Sequence, residues 1–285
     1  MSNTEKNKVL PSTLYLVATP IGNLLDISER AKKVLSEVDF IAAEDTRNSL
    51  KLITAYGIKK ELVSYFEHNK KSSGERIVAR LLAGESCALV TDAGMPAISD
   101  PGEDIVKLCC EAGISVSIIP GACAAVSALA LSALPTGKFT FEGFLPAVKG
   151  ERLRELKKLE YEYRTMIFYE APHKLLKTLE DMLEVFGKDR KISLSRELTK
   201  LNEETVRTTL SGAVELFSSK EPRGEYVLIV EGTQKKEENE LQALTIPEHI
   251  DYYINSGLSK KDAIKAVAKD RELPKSEIYK YTIEN

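Results

Sequence analysis

The sequence predicts an α/β protein of two domains and an appendage: a parallel-sheet N-terminal domain, a mixed-sheet second domain and a small C-terminal helix-turn-helix segment. Three observations predict the architecture. Short β-rich runs at Leu14–Ala18, Phe40–Ala43, Ala88–Thr91 and Val116–Ile119 alternate with helical patterns, as βαβ units around a parallel sheet do. After Pro135-Thr136-Gly137 come strand signals at Phe139–Phe141, Thr165–Tyr169, Ile192–Arg196, Thr205–Leu210 and Tyr226–Val230, whose close spacing at the end favours antiparallel hairpins. Past the polar run Gln234–Glu240, which cannot bury apolar area and reads as a linker, the periodicity is purely helical.

A chain of 285 residues with 43% hydrophobic content has room for two α/β domains and an appendage. The expected limits are 1–134, 135–233 and 241–285. A helix is predicted from Asp26 to Val38, with Ile27, Ala31, Val34, Leu35 and Val38 on one face and Asp26 as its cap. In the second domain, helices are predicted at Gly150–Glu160 and His173–Phe186. In the tail they fall at Pro247–Asn255, Ser259–Lys269 and Pro274–Tyr281, where Ser259 and Asp262 have capping-box spacing.

The net charge of −3 gives no global basic field, so contact with nucleic acid has to come from local clusters of Lys and Arg. Cys87, Cys109, Cys110 and Cys123 form no Cys-x-x-Cys pair and read as reduced, buried thiols, and with three histidines no metal is expected. The polar start from Met1 to Pro11 and the lack of an apolar run of about 18 residues make a soluble cytoplasmic protein without a membrane span the expectation.

Three turns carry the chemistry. Thr19-Pro20-Ile21-Gly22-Asn23 follows the first strand and matches neither a dinucleotide fingerprint nor a P-loop. Asp92 to Gly102, with two prolines and two glycines, is a rigid irregular loop whose main chain suits a ligand, or else a stiff connector to a helix from Glu103 to Cys110. Pro120 to Ala125 opens a small-residue helix, which suits either a ligand or tight helix–sheet packing. Turns after strands of one sheet share a rim, so together they define a candidate pocket.

Five ordered segments, Ala18–Asn23, Ala43–Arg47, Asp92–Gly102, Tyr169–His173 and Arg196–Lys200, resemble the tetrapyrrole methylase family over roughly Thr13–Gly232. Within it they resemble the branch that methylates a cytidine ribose 2′-hydroxyl in 16S ribosomal RNA of the small subunit. The resemblance implies S-adenosylmethionine as cofactor, the 30S subunit as partner and a homodimer. It implies that Gly94, Met95, Ile98, Cys123 and Ala124 line the cofactor, with Glu170 and Leu198 across the cleft. Pro20, Gly22, Asp92 and Ala93 complete the expected set. Where tetrapyrrole-modifying relatives show Gly-Gly-Asp-Pro, this chain has Ala93-Gly94-Met95-Pro96, which leaves open what replaces the missing acid.

A ribose hydroxyl needs a base, or a cation for the developing alkoxide. Asp100, Glu197 and Lys200 are the expected catalytic residues, with Glu170 a further candidate, although an aspartate before proline also builds turns. Arg47 is expected at an RNA phosphate, or else in an ion pair with Glu44 or Asp45. Lys260, Lys261 and Lys265 are the expected RNA contacts of the tail, and Lys149, Arg152, Arg154, Lys157, Lys158 and Arg164 form either a second basic cluster or a solvated, self-paired helix face. Two other readings stay open: a methylase of a tetrapyrrole or other small acceptor, and a ligand-sensing nucleic-acid-binding regulator.

Overall fold

The computed structural model describes residues 7–233, 241, 244–271 and 273–281; the expected linker Gln234–Glu240 lies outside them. The described residues up to Gly232 form one compact unit and those from Thr233 onward a second.

The first sheet contains β1 (Thr13–Val17), β2 (Phe40–Ala43), β3 (Glu61–Ser64), β4 (Cys87–Val90) and β5 (Ser115–Ile119), all parallel, in the order β3-β2-β4-β1-β5. Strand alternation sends Tyr15, Val17, Ile41, Ala43, Ala88 and Val90 to one face, under α1 (Glu29–Glu37) and α2 (Thr46–Ala55). Leu14, Leu16, Phe40, Ala42, Cys87 and Leu89 face α3 (Lys70–Leu82) and α4 (Gly102–Glu111) on the other. Burial on both faces is why β1, β2 and β4 read as continuous apolar runs.

β3 escaped the sequence reading because it is a short edge strand that begins on Glu61 and is nowhere fully buried. The loop from Asp92 therefore follows the fourth strand, not the third. The expected Asp26 cap is also corrected. Leu24–Asp26 is a separate 3-10 turn capped by Asn23, and the Ser28 side chain accepts from the Ala31 amide to start α1. The predicted apolar face is buried as expected. Not every cysteine is buried either: Cys110 is exposed, because only the Cys109 side of α4 faces the sheet. Burial pushes the Cys109 thiol up to about 11.

α5 (Ala124–Leu131) leaves the first sheet and packs Ala125, Ala128 and Leu129 onto Ile167, Val227 and Ile229 of the second. That sheet runs β6-β7-β10-β8-β9, comprising β6 (Phe139–Phe144), β7 (Thr165–Glu170), β8 (Lys191–Arg196), β9 (Glu204–Thr209) and β10 (Tyr226–Val230). β6 and β7 are parallel and the other pairings antiparallel, the mixed sheet that strand spacing predicted. Its far face is covered by α6 (Lys149–Lys158), α7 (Leu175–Phe186) and α8 (Leu210–Ser219). α8 was hidden because Leu210, read as the last strand residue, instead opens the helix behind the Thr209 cap. The Arg207 guanidinium, from β9, donates to the Leu131 carbonyl at 2.8 Å and so closes the C-terminus of α5.

Arg152 does not belong to a surface cluster. It is buried, its guanidinium 2.6 Å from the Asp181 carboxylate of α7, and it also donates to the Ala147 carbonyl at 3.0 Å. Lys158 with Glu155 and Arg164 with Glu162 are self-paired, as a solvated face would be.

The second unit holds α9 (Ile246–Asn255), α10 (Lys260–Asp270) and α11 (Lys275–Lys280) around Ile250, Ala263, Ile264, Val267 and Ile278. A full capping box, Thr245 with Glu248, starts α9, and Ser259 accepts from the Asp262 amide at α10. Buried His249 accepts from Arg271 at Nδ1 (3.1 Å), with Nε2 3.3 Å from the Asp270 carboxylate. Burial, then the Arg271 charge, holds the imidazole below its ordinary value. No helix among the described residues is long and apolar enough to cross a membrane.

Two outcomes are expected. Arg152→Met should cost about 3–5 kcal/mol in urea unfolding by stranding Asp181, and the double change with Asp181→Leu should recover most of it. Because the folded unit disfavours the charged form of His249, the unfolded chain protonates first as pH falls through the ordinary imidazole value of about 6.5. Protection factors at Ile264 and Val267 in the full-length protein, referenced to intrinsic exchange at each pH, should therefore fall on acidification through that value, and His249→Gln should flatten the response.

Candidate active site

The three turns meet at the carboxyl ends of β1, β4 and β5. Thr19 and Gly94 exchange both backbone hydrogen bonds (2.9 and 3.1 Å), which ties the first turn to the long loop. A Cβ on Gly121 would lie 2.9 Å from the Ala18 Cβ, so the third turn closes against the first only because residue 121 is glycine. β1 sits between β4 and β5 with the chain departing to opposite sides, the switch-point arrangement at which α/β sheets open a crevice.

Beyond these turns a cleft of about 350 Å³ separates the loops of the first sheet from one end of the second. Asp92, Ala93, Ile98 and Asp100 form one wall with Ala124, the first residue of α5. Glu170, Glu197, Leu198 and Lys200 stand on the other. Pro20, Gly22, Gly94, Met95 and Cys123 support these walls from neighbouring positions and do not line the space. Gly94 has its amide and carbonyl committed to Thr19, and its φ of 89° requires glycine. Gly22 serves a seam: a Cβ there would meet the Leu198 carbonyl at 2.8 Å, and Asn23 donates to Thr199 Oγ1 at 3.1 Å.

Backbone strain gathers at the rims. Ala97 and Ser99 on one side, and Glu197 and Thr199 on the other, have positive φ (66°, 65°, 52° and 64°), a cost sustained only where the surroundings over-determine the chain. Asp100 supplies part of that determination, one carboxylate oxygen accepting from the amides of Ala97 (2.9 Å) and Gly102 (2.7 Å). Tyr65 pins the end of the loop by donating to the Pro101 carbonyl at 3.0 Å. Glu170 is buried and accepts from the Ala171 amide and Thr178 Oγ1 (2.8 and 2.6 Å), whereas Lys200 pairs with Glu197 at 2.9 Å and stays half-exposed.

Arg47 pairs with Asp45 at 2.8 Å, and its hydrogen bonds hold that carboxyl down at about 2. The guanidinium is nevertheless 86% exposed and close enough to Asp92 to feel its charge, with Asn48 donating to Asp92 at 3.1 Å. In the tail, Lys260 and Lys261 are exposed and Lys265 pairs with Asp262 at 2.7 Å.

Sequence reading missed the far wall: Phe144, Tyr169, Ser195, Glu225 and Tyr226. They come from β6, β7, β8 and the start of β10, and the last three strands are neighbours only because β10 inserts between β7 and β8, with Tyr226 opposite both Glu170 and Arg196. Burial pushes the Tyr169 hydroxyl up to about 12, so the ring is a neutral amphipathic wall beside the start of α5.

The cleft is large enough for a nucleoside-sized ligand. Ile21, Ile98, Leu198 and Val227 supply apolar cover, Ala93 and Ala124 permit close approach, and carboxylates suit a cationic group. An adenosyl sulfonium fits these residues.

Residues 13–214 match the family model for tetrapyrrole (corrin/porphyrin) methylases. The chain is 50% identical over 270 residues to "Ribosomal RNA small subunit methyltransferase I" of Halalkalibacterium halodurans, covering 94% of this chain and 93% of that one. The Bacillus subtilis protein of the same name is 48% identical over 93% of this chain and 92% of its own. Among solved structures, a cobalt precorrin-4 methyltransferase superposes with a TM-score of 0.58 at 17% identity, covering 77% of this chain and 95% of that one. A uroporphyrin-III C-methyltransferase from Thermus thermophilus gives 0.56 at 20%, covering 77% and 94%. The chain belongs to the tetrapyrrole methylase family, whose members are methyltransferases that use S-adenosylmethionine.

The geometry of Asp100 yields a discriminating pair of variants. Asp100→Asn keeps an acceptor oxygen for the two amides and should retain cofactor affinity within about threefold by calorimetry. Asp100→Ala should lose about 1–2 kcal/mol of cofactor binding as the loop relaxes.

Proposed function

We propose that this enzyme methylates the ribose 2′-hydroxyl of a cytidine in 16S ribosomal RNA of the small subunit. What carries the reading is near-full-length identity of 50% and 48% to proteins named for small-subunit ribosomal RNA, over 94% and 93% of this chain. The resemblance of the segments Ala43–Arg47 and Arg196–Lys200 to that branch supports the ribose hydroxyl as acceptor. A small tetrapyrrole acceptor is disfavoured, because the tetrapyrrole-modifying neighbours stand at 17–20% identity and share the fold alone.

Bound in the cleft, S-adenosylmethionine supplies an electrophilic methyl group for in-line transfer. The protein's part is to align the acceptor and exclude water. Pro20, Gly22, Gly94, Met95 and Cys123 hold the shape of the cofactor side, while Asp92, Ala93, Ile98, Ala124, Glu170 and Leu198 face it. Glu197 accepts the proton of the hydroxyl, and Lys200, paired with it, stabilises the developing alkoxide. Asp100 contributes by fixing the loop. Arg47 meets a phosphate at the rim, and Lys260, Lys261 and Lys265 give the tail its RNA contact.

The functional division follows 1–134, 135–233 and 241–285. The working form is a cytoplasmic homodimer acting on the 30S subunit.

Full-length protein with methyl-labelled S-adenosylmethionine should label unmethylated small subunits at one cytidine, and the mark should resist alkaline cleavage at that ribose. Absence of any transfer to small-subunit RNA, naked or assembled, would refute the proposal. Deleting 241–285 should raise the RNA KM about tenfold or more and leave cofactor affinity within twofold.

A further inference from the structure

We infer that the cleft holds a nucleobase subsite, with Phe144 as its stacking platform and Glu225 as the acceptor for an exocyclic amino group, so that the target nucleoside enters extruded from its strand. The inference rests on the RNA reading above and specifies how the acceptor is bound.

The first observation is charge. Among the described residues, Glu44, Asp92, Asp100, Glu170, Glu197 and Glu225 line the cleft against the single cation Lys200. A phosphodiester is repelled from such a space, whereas a neutral ribose and base are not. RNA phosphates therefore stay at the rim, and only one nucleoside turned out of its stack reaches the interior.

The second is an aromatic placed against ordinary burial rules. Phe144 lines the cleft yet is 59% exposed. It owes this position to the irregularity between Phe141 and Gly143, where β6 slips register against β7 and Gly143 adopts φ of 64°. Such a bulge re-aims the side chain that follows. A Cβ on Gly143 would lie 3.6 Å from Ser99 Oγ, so the bulge sits against the strained rim of the cofactor loop. Tyr169 backs the Phe144 ring at 5.5 Å between centroids, with Phe141 behind Tyr169 at 5.1 Å. The platform is thus braced on one side and open on the other, as base-stacking aromatics are.

The third is one unspent carboxylate. Glu44 accepts from Thr91, Asp92 from Asn48, Asp100 from two amides, Glu170 from Thr178, and Glu197 from Lys200. Among the described residues Glu225 alone of the six has no hydrogen bond or ion pair. It is held at the mouth of β10 behind Gly224, whose φ of 76° and bare Cα let Glu197 pack against the turn. A carboxylate accepts from the N4 amino group of cytosine and repels the O4 of uracil.

The test uses full-length protein, S-adenosylmethionine, and small-subunit RNA carrying either cytidine or uridine at the modified position. Phe144→Leu should lower kcat/KM for RNA about ten- to hundredfold, with cofactor Kd within twofold, and Phe144→Trp should restore most of it. Glu225→Gln should shrink the preference for cytidine over uridine about tenfold or more at unchanged cofactor affinity. Circular dichroism melting checks that each variant is folded. If Phe144→Leu leaves kcat/KM within twofold, or if both variants lose cofactor affinity in parallel with activity, the subsite is overturned. A wild-type protein inert toward every small-subunit RNA would sink the functional reading itself, whereas an active wild type with an indifferent Phe144→Leu sinks the subsite alone.

Discussion

Everything in the catalytic unit depends on how α5 joins the two sheets. It grows out of β5 at the ligand-bearing edge of the first sheet and buries Ala125, Ala128 and Leu129 on Ile167, Val227 and Ile229 of the second. Small side chains set a short separation, and Arg207 closes the helix end from β9. The same clamp brings the Gly22 turn against the Leu198 carbonyl, where any larger residue would push the walls apart. With the two sheets locked in this way, the loops after β1, β4 and β5 face the loops after β7 and β8 across a space of fixed width.

That constraint explains why so little of the main chain of the Asp92–Gly102 loop is free. Backbone groups of Thr19 and Gly94 bind each other, and Asp100 absorbs the amides of Ala97 and Gly102. The strained φ values of Ala97, Ser99, Glu197 and Thr199 flank the same opening. Preorganisation of this kind suits group transfer, in which the protein's main contribution is alignment and the exclusion of water rather than a reactive side chain. Lys200, half-exposed and paired with Glu197, is the one cation among the described residues that line the cleft.

The turns that border the cleft were legible because each follows an apolar strand and breaks it with Pro and Gly, a purely local signal. So were β2 and β10, buried on both faces, and the apolar side of α1. Elements whose assignment rests on partners were not. β3 is polar at its start and survives by pairing with β2; α8 begins where a strand pattern was still running; and the cap of α1 moved from Asp26 to Ser28 because a 3-10 turn intervenes. Arg152 looked like a surface cation in a run of charges, yet the packing of α6 on α7 buries it against Asp181.

By itself the sequence determined most of the elements, the three turns that break the apolar strands, the helical tail and the family, since each is written in local composition or in contiguous motifs. Only the tertiary structure decided which residues face the ligand space and which merely hold it open. Gly22 and Gly94 proved to be spacers, Asp100 a loop former on one of its oxygens, and Phe144, Tyr169 and Glu225 a wall. The physical reason is that β10 inserts between β7 and β8, so neighbours across the cleft are remote in the chain, and no spacing along a sequence encodes the register that brings them together.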